Sequence, residues 1–175
     1  MAVNVSPVQL SDEHFVAGVI EAVENAGIQY SDLELEITEG QVVEYLPLIE
    51  KAFKELNAKG VHIVIDDFGT GYSALAYLTR LHWSRVKIDR SFLAEIPQES
   101  NAGRIVAAII AMAGELGLQV TAEGIETEAQ YRFLAGAGCH NGQGYGYARP
   151  QPAEDFLALL QAPTAPGWAK RPNKD

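Results

Sequence analysis

Apolar and polar positions along this chain switch repeatedly between a period of two and a period of 3.6, which divides it into alternating strand and helix patterns. "MAVNVS" predicts a strand, and "SDEHFVAGVIEAVENAG" a helix with Ser11 as N-cap and Gly27 just beyond its end. "LELEIT" alternates apolar with acidic residues, and a helix over about 45–58 follows, stopped by Lys59 and Gly60. "VHIVIDDF" is a β-branched run that ends in two adjacent aspartates, a glycine turn and a short helix. "RVKIDRSF" predicts the next strand, a long apolar helix runs from Asn101 to Leu116, and "LQVTAEGIE" leads into a helix opening near Thr127. "GQGYGYARP" predicts a last strand whose pattern the glycines dilute. "AEDFLALLQ" is an amphipathic helix that completes one domain over 1–161, and "APTAPGWAKRPNKD" (162–175) is expected to be a disordered tail.

This makes about six strand–helix units, and such alternation predicts a parallel sheet wrapped by helices. An open doubly wound sheet and a (β/α)8 barrel are the two standard closures; a barrel takes eight units and ~250 residues, so this chain is about two units short. In both, ligand chemistry sits at the carboxyl ends of the strands. Those ends carry Asn4, then Glu36 and Glu39, then Asp66 and Asp67, then Lys87 and Asp89, then Glu123 and Glu126, then Gln143. The carboxylates and the Asn carbonyl form a hard oxygen set suited to Mg²⁺ or Mn²⁺, and the lysine could hold a phosphate oxygen or orient a water. Each residue also has a commonplace reading. Asp66 and Asp67 suit helix N-capping as well as a metal, Thr38 and Glu39 suit a cap, and Lys87 between Val86 and Ile88 suits a side chain reaching for solvent. The recurrence of acids on strand after strand favours a site.

Composition narrows the partners. A net charge of -10 excludes a DNA or RNA polymer, because no basic stripe is available to replace counterions. It leaves room for a small anionic ligand held through metal ions. The single cysteine, Cys139, cannot form an intramolecular disulfide. No apolar run approaches the ~18 residues of a membrane span, and "MAVNVSPVQL" lacks the basic start and long apolar core of a signal peptide, so a cytoplasmic location is expected. The four histidines lack metal spacing, and "GTG" at 69–71 is not a phosphate-binding P-loop.

"VNVS", "ELEITE", "DDFGTGYSAL", "VKIDRSF", "TAEGIET" and "CHNGQGYGYARP", in this order, resemble the EAL domain family over about Ala2 to Phe156. These are bacterial cyclic di-GMP phosphodiesterases, built as (β/α)8 barrels with a two-metal site. The resemblance implies that Asn4, Glu36 and Asp66 bind a first Mg²⁺ or Mn²⁺, and that Asp66, Asp67 and Glu123 bind a second. It implies that Lys87 contacts the attacking water or the phosphate and that Glu39 braces the loop after Asp67. Glu126 and Gln143 would support the substrate and its water network, with Asp89 beside them in "KIDRSF". The Glu-Ala-Leu tripeptide that names the family occurs nowhere in the chain. In the family it lies upstream on the first strand, where its Glu is a first-metal ligand. The resemblance therefore implies a C-terminal portion of the domain that starts at the third barrel strand, an incomplete barrel of about six units. Little turnover is expected from it alone, and a non-catalytic cyclic di-GMP receptor is the competing expectation. Unpaired sheet edges predict a homo-oligomer or pairing with a companion fragment.

Overall fold

The computed structural model describes residues 1–71, 75–94, 96 and 101–161. The tail expected over 162–175 lies outside them. Six strands form one parallel sheet in chain order: β1 (Ala2–Asn4), β2 (Glu34–Thr38), β3 (His62–Phe68), β4 (Arg85–Ile88), β5 (Gln119–Ala122) and β6 (Asn141–Gly142). The crossovers carry helices α1 (Pro7–Leu10), α2 (Phe15–Ala26), α3 (Glu39–Lys59), α4 (Leu75–Leu78), α5 (Asn101–Glu115) and α6 (Glu128–Gly136), and α7 (Ala153–Gln161) follows β6. The result is an incomplete α/β barrel, with helices outside and the concave face of the sheet inside.

Strand alternation decides what each face carries. Leu35, Ile37, Ile63, Ile65, Val86, Ile88, Val120 and Ala122 are buried in one core with Ile49, Phe53 and Leu56 of α3 and Val106 of α5. The residues between them, Glu34, Glu36, Arg85, Lys87, Gln119 and Thr121, therefore face the barrel interior. The acidic alternation of "LELEIT" is one apolar face against the helices and one polar face inward.

Three boundaries differ from the sequence reading, each for a local reason. Ser11 is not an N-cap. Ser6, with Gln9 in a reciprocal capping box and Pro7 at the first helical position, starts α1 earlier, and Ser11 closes that turn by donating to the Pro7 carbonyl at 2.9 Å. The helix expected from 45 begins at Glu39, because Thr38 and Gln41 form another capping box. A kink at Tyr45 (φ -114°, ψ 20°), two residues before Pro47, hides that first turn from the apolar periodicity. The strand expected through "GQGYGYARP" is confined to Asn141–Gly142. Beyond it, a Cβ on Gly144 would sit 2.2 Å from the Ile125 backbone nitrogen. The chain there interlocks with the loop after β5, through Ile125 N–H to Gln143 O at 3.0 Å and Gly146 N–H to Ile125 O at 2.8 Å. By contrast, the expected stops hold: Gly27 (φ 65°) and Gly60 (φ 101°) are left-handed C-caps.

Candidate metal centre and adjoining cavity

Lys87 organises the mouth of the barrel. Only 6% exposed, it places its ammonium 2.6 Å from Glu123 Oε1, 2.9 Å from Glu36 Oε2 and 3.0 Å from Asp66 Oδ1. Three donors thus meet three carboxylates, delivered by β2, β3 and the residue after β5. Burial alone would lower the lysine pKa, but the bonds to Glu123, Glu36 and Asp66 outweigh it and hold the group charged well beyond the ordinary lysine range.

Adjacent residues on a regular strand point to opposite faces, so Asp66 and Asp67 could not both enter the barrel from an ideal β3. The register between β3 and β4 shifts between Ile65 and Phe68, and Asp67 turns to φ 54°. Its amide donates to Asp66 Oδ1 at 3.1 Å. This bulge swings both carboxyls to one side. Asp66, Asp67 and Glu123 then each offer an oxygen within 4.8 Å of the others. Burial, then the charges of Asp66 and Asp89, push the Asp67 carboxyl up. Burial also raises Glu123; Lys87 opposes that, while Asp66 and Glu36 add to it. A half-buried set of hard oxygen donors, with repulsion that one lysine only partly relieves, fits Mg²⁺ or Mn²⁺ by its donor chemistry.

The remaining expected residues surround this group. Asn4 pairs in register with Glu36 at the end of β1 and is exposed. Glu36 does not join the three-acid group among the described residues and is tied to it through Lys87. Glu39, 2% exposed, accepts the amides of Gly69 at 2.9 Å and Gly71 at 3.2 Å on Oε2, bracing the loop after Asp67. Asp89 caps the turn Arg90–Phe92, with Ser91 N–H to Oδ1 at 3.0 Å. Burial there is outweighed by hydrogen bonds from Ser91 and Arg90, and the carboxyl sits below its ordinary value. Gln143 Nε2 donates to Glu123 Oε1 at 2.7 Å. Glu126, Glu123 and Gln143 line a cavity of about 540 Å³ that opens beside the acids.

Sequence reasoning missed three parts. Arg90 and Arg149 also line that cavity, with the Arg149 guanidinium 4.6 Å from the centre of the Tyr145 ring. Gln130 is buried in α6; it accepts the amides of Glu126 and Thr127 and donates to the Leu93 carbonyl at 2.9 Å, tying the loops after β4 and β5 together. Its signal was the T-x-x-Q capping pattern from Thr127 to Gln130. Beneath the acids, Arg85 bridges Glu34 at 2.8 Å and Gln119 at 2.7 Å, a layer that only strand register assembles.

Residues 1–150 match the family model described as "EAL domain". The chain is 44% identical over 164 residues to the bifunctional diguanylate cyclase/cyclic di-GMP phosphodiesterase MucR of Pseudomonas aeruginosa, a match covering 91% of this chain and 23% of MucR. It therefore spans less than a quarter of that relative. The solved PaMucR phosphodiesterase in its c-di-GMP complex superimposes with a TM-score of 0.84 at 44% identity, over 89% of this chain and 63% of that one. Klebsiella pneumoniae BlrP1, solved with manganese and cyclic di-GMP, superimposes with a TM-score of 0.80 at 31% identity, over 85% of this chain and 38% of that one. The six-stranded barrel segment, the strand-end acids and the match along residues 1–150 agree, and the chain belongs to the EAL domain family.

Proposed function

We propose that this chain supplies most of a two-metal site that hydrolyses cyclic di-GMP to linear pGpG. The observation that carries the reading is the convergence of Asp66, Asp67 and Glu123 within 4.8 Å, with Lys87 against two of them, at the carboxyl ends of the strands. Asn4, Glu36 and Asp66 would hold one Mg²⁺ or Mn²⁺; Asp66, Asp67 and Glu123 would hold a second, with Asp66 shared. When bound, such ions supply positive charge to the scissile phosphate and acidify the attacking water. Lys87 adds a fixed charge where negative charge develops in the transition state. Gln143 fixes the Glu123 carboxylate by its 2.7 Å hydrogen bond. Glu39 holds the loop that presents Asp67, and Glu126 faces the cavity that would receive the nucleotide. Attack by water on one phosphodiester breaks one P–O ester bond and opens the ring.

A second reading, a cyclic di-GMP receptor without turnover, is favoured by one feature: the compact acid group numbers three among the described residues, which serves one ion better than two. The assembly proposal follows from the edges. Among the described residues β1 pairs only with β2, and an apolar recess of about 160 Å³ lies against it, lined by Val3, Val19, Val23 and Leu35. A second copy, or a companion fragment bringing further barrel strands, would cover both. A cytoplasmic location belongs to the same reading, in keeping with the absence of a helix long and apolar enough to cross a membrane among the described residues.

The test incubates cyclic di-GMP and Mn²⁺ with this chain, alone and joined to an upstream barrel portion carrying the Glu-Ala-Leu strand, and follows pGpG by chromatography. Turnover by the joined protein, with little from the chain alone, is expected. Binding without turnover in both would favour the receptor.

A further inference from the structure

We propose that Lys87 is a resident cation of the acid cluster: it holds the carboxylates together when no divalent ion is bound, and in doing so it weakens the binding of that ion. The inference rests on the reading of the cluster as a metal site, and it concerns folding and affinity, not turnover.

Glu36, Asp66 and Glu123 come from separate parts of the sheet, and Glu36 is 7% exposed. Without a counter-charge, such burial of like charges is among the costliest arrangements a fold can contain. Lys87 stands on β4, between the strands that bring them, and touches all three at 2.6–3.0 Å. It therefore staples β2, β3 and the end of β5 to β4 through one ammonium group. Asp66 and Glu123 belong both to this staple and to the three-acid group that would share an ion. The lysine and the ion thus neutralise the same carboxylates, and each reduces the need for the other. Two cations held by one acid cluster also repel. Their coupling is unfavourable and, by linkage, reciprocal: metal lessens the contribution of Lys87 to the fold, and Lys87 lessens the affinity for metal.

Denaturant unfolding of the full chain, wild type and Lys87→Met, in EDTA and in saturating Mn²⁺ tests this. In EDTA, Lys87→Met should unfold at lower denaturant than wild type. Mn²⁺ should raise its midpoint more than it raises that of wild type, and should bind it about 5-fold or more tightly. An equal or smaller rise, or weaker binding, overturns the proposal. The EDTA arm also carries Glu123→Gln in the Lys87→Met background. Removing one carboxylate should recover the midpoint, and should recover folding if Lys87→Met alone does not fold; no recovery overturns the counter-charge role. That arm contains no metal, so failure of wild type to bind Mn²⁺ would sink the metal reading while the counter-charge role is decided separately.

Discussion

Asp67 shows how one residue sets the behaviour of the site. Its φ of 54° lies in the left-handed region, which aspartate and asparagine both tolerate better than most residues, so Asp67→Asn changes charge with little backbone cost. In the metal-free chain the Asp67 and Glu123 carboxyls are raised, so the folded state binds protons that the unfolded chain has released. Their contribution to stability is full below the ordinary values of 3.8 for Asp and 4.5 for Glu, and is lost as pH rises through the raised values. Asp89, lowered, acts the other way and loses its contribution as pH falls. In EDTA, Asp67→Asn should therefore be more stable than wild type at neutral pH and should show a shallower loss of stability as pH rises from the ordinary carboxylate range. Denaturation midpoints at pH 5 and pH 7 would check it; a steeper slope in the variant would contradict it. Added Mn²⁺ should reverse the ranking at neutral pH, since the lost carboxylate is a proposed ligand.

At the scale of elements, local devices hold the loops that carry the acids. Glu39, the first residue of α3, accepts two amides from the loop after β3, and Gly69 lies close enough to Phe92 that a Cβ would meet its ring at 2.9 Å. Glu39→Ala leaves both amides without the carboxylate and should cost about 2–3 kcal/mol, as expected for hydrogen bonds to a charged group. Chemical denaturation measures that, and limited proteolysis should cut first within 69–71. Gly144→Ala should cost more than a surface alanine substitution, because the new methyl meets Ile125 backbone at 2.2 Å and the neighbour cannot move without breaking the interlock. A neutral Gly144→Ala would mean the interlock is not rigid. How much of this was readable follows from the range of the forces. The period-two acids of "LELEIT" and the strand-end rule located Glu36, Asp66, Asp67 and Glu123, because pattern and topology act over a few residues. Lys87 suited a solvent-seeking side chain, because its three partners lie far from it along the chain, Glu36 at a separation of 51, and only strand register brings them in. The Asp67 bulge and the interlock at Gly144 are likewise products of neighbouring strands, with no local signature beyond the glycines.

At the largest scale, the sheet formed by the described residues has two ends. Among the described residues β1 has one neighbour, its residues are exposed, and Met1 and Val3 line an apolar recess beside α2. β6 spans two residues and, among the described residues, pairs only with β5. Unpaired backbone and bared apolar surface favour association. Light scattering at micromolar concentration should show a dimer or larger species of the isolated chain, and an upstream barrel portion supplied in trans should dissociate it. A stable monomer that ignores the added portion would contradict the assembly proposal. Beneath assembly and turnover lies the claim that the strand-end acids form a divalent-metal site. Calorimetric titration of Mn²⁺ into the metal-free chain, wild type against Asp66→Asn, tests it most directly. Saturable binding by wild type, weakened about tenfold or more in Asp66→Asn, equivalent to roughly 1.4 kcal/mol, is expected. Absence of saturable binding by wild type, or equal binding by both proteins, would contradict it.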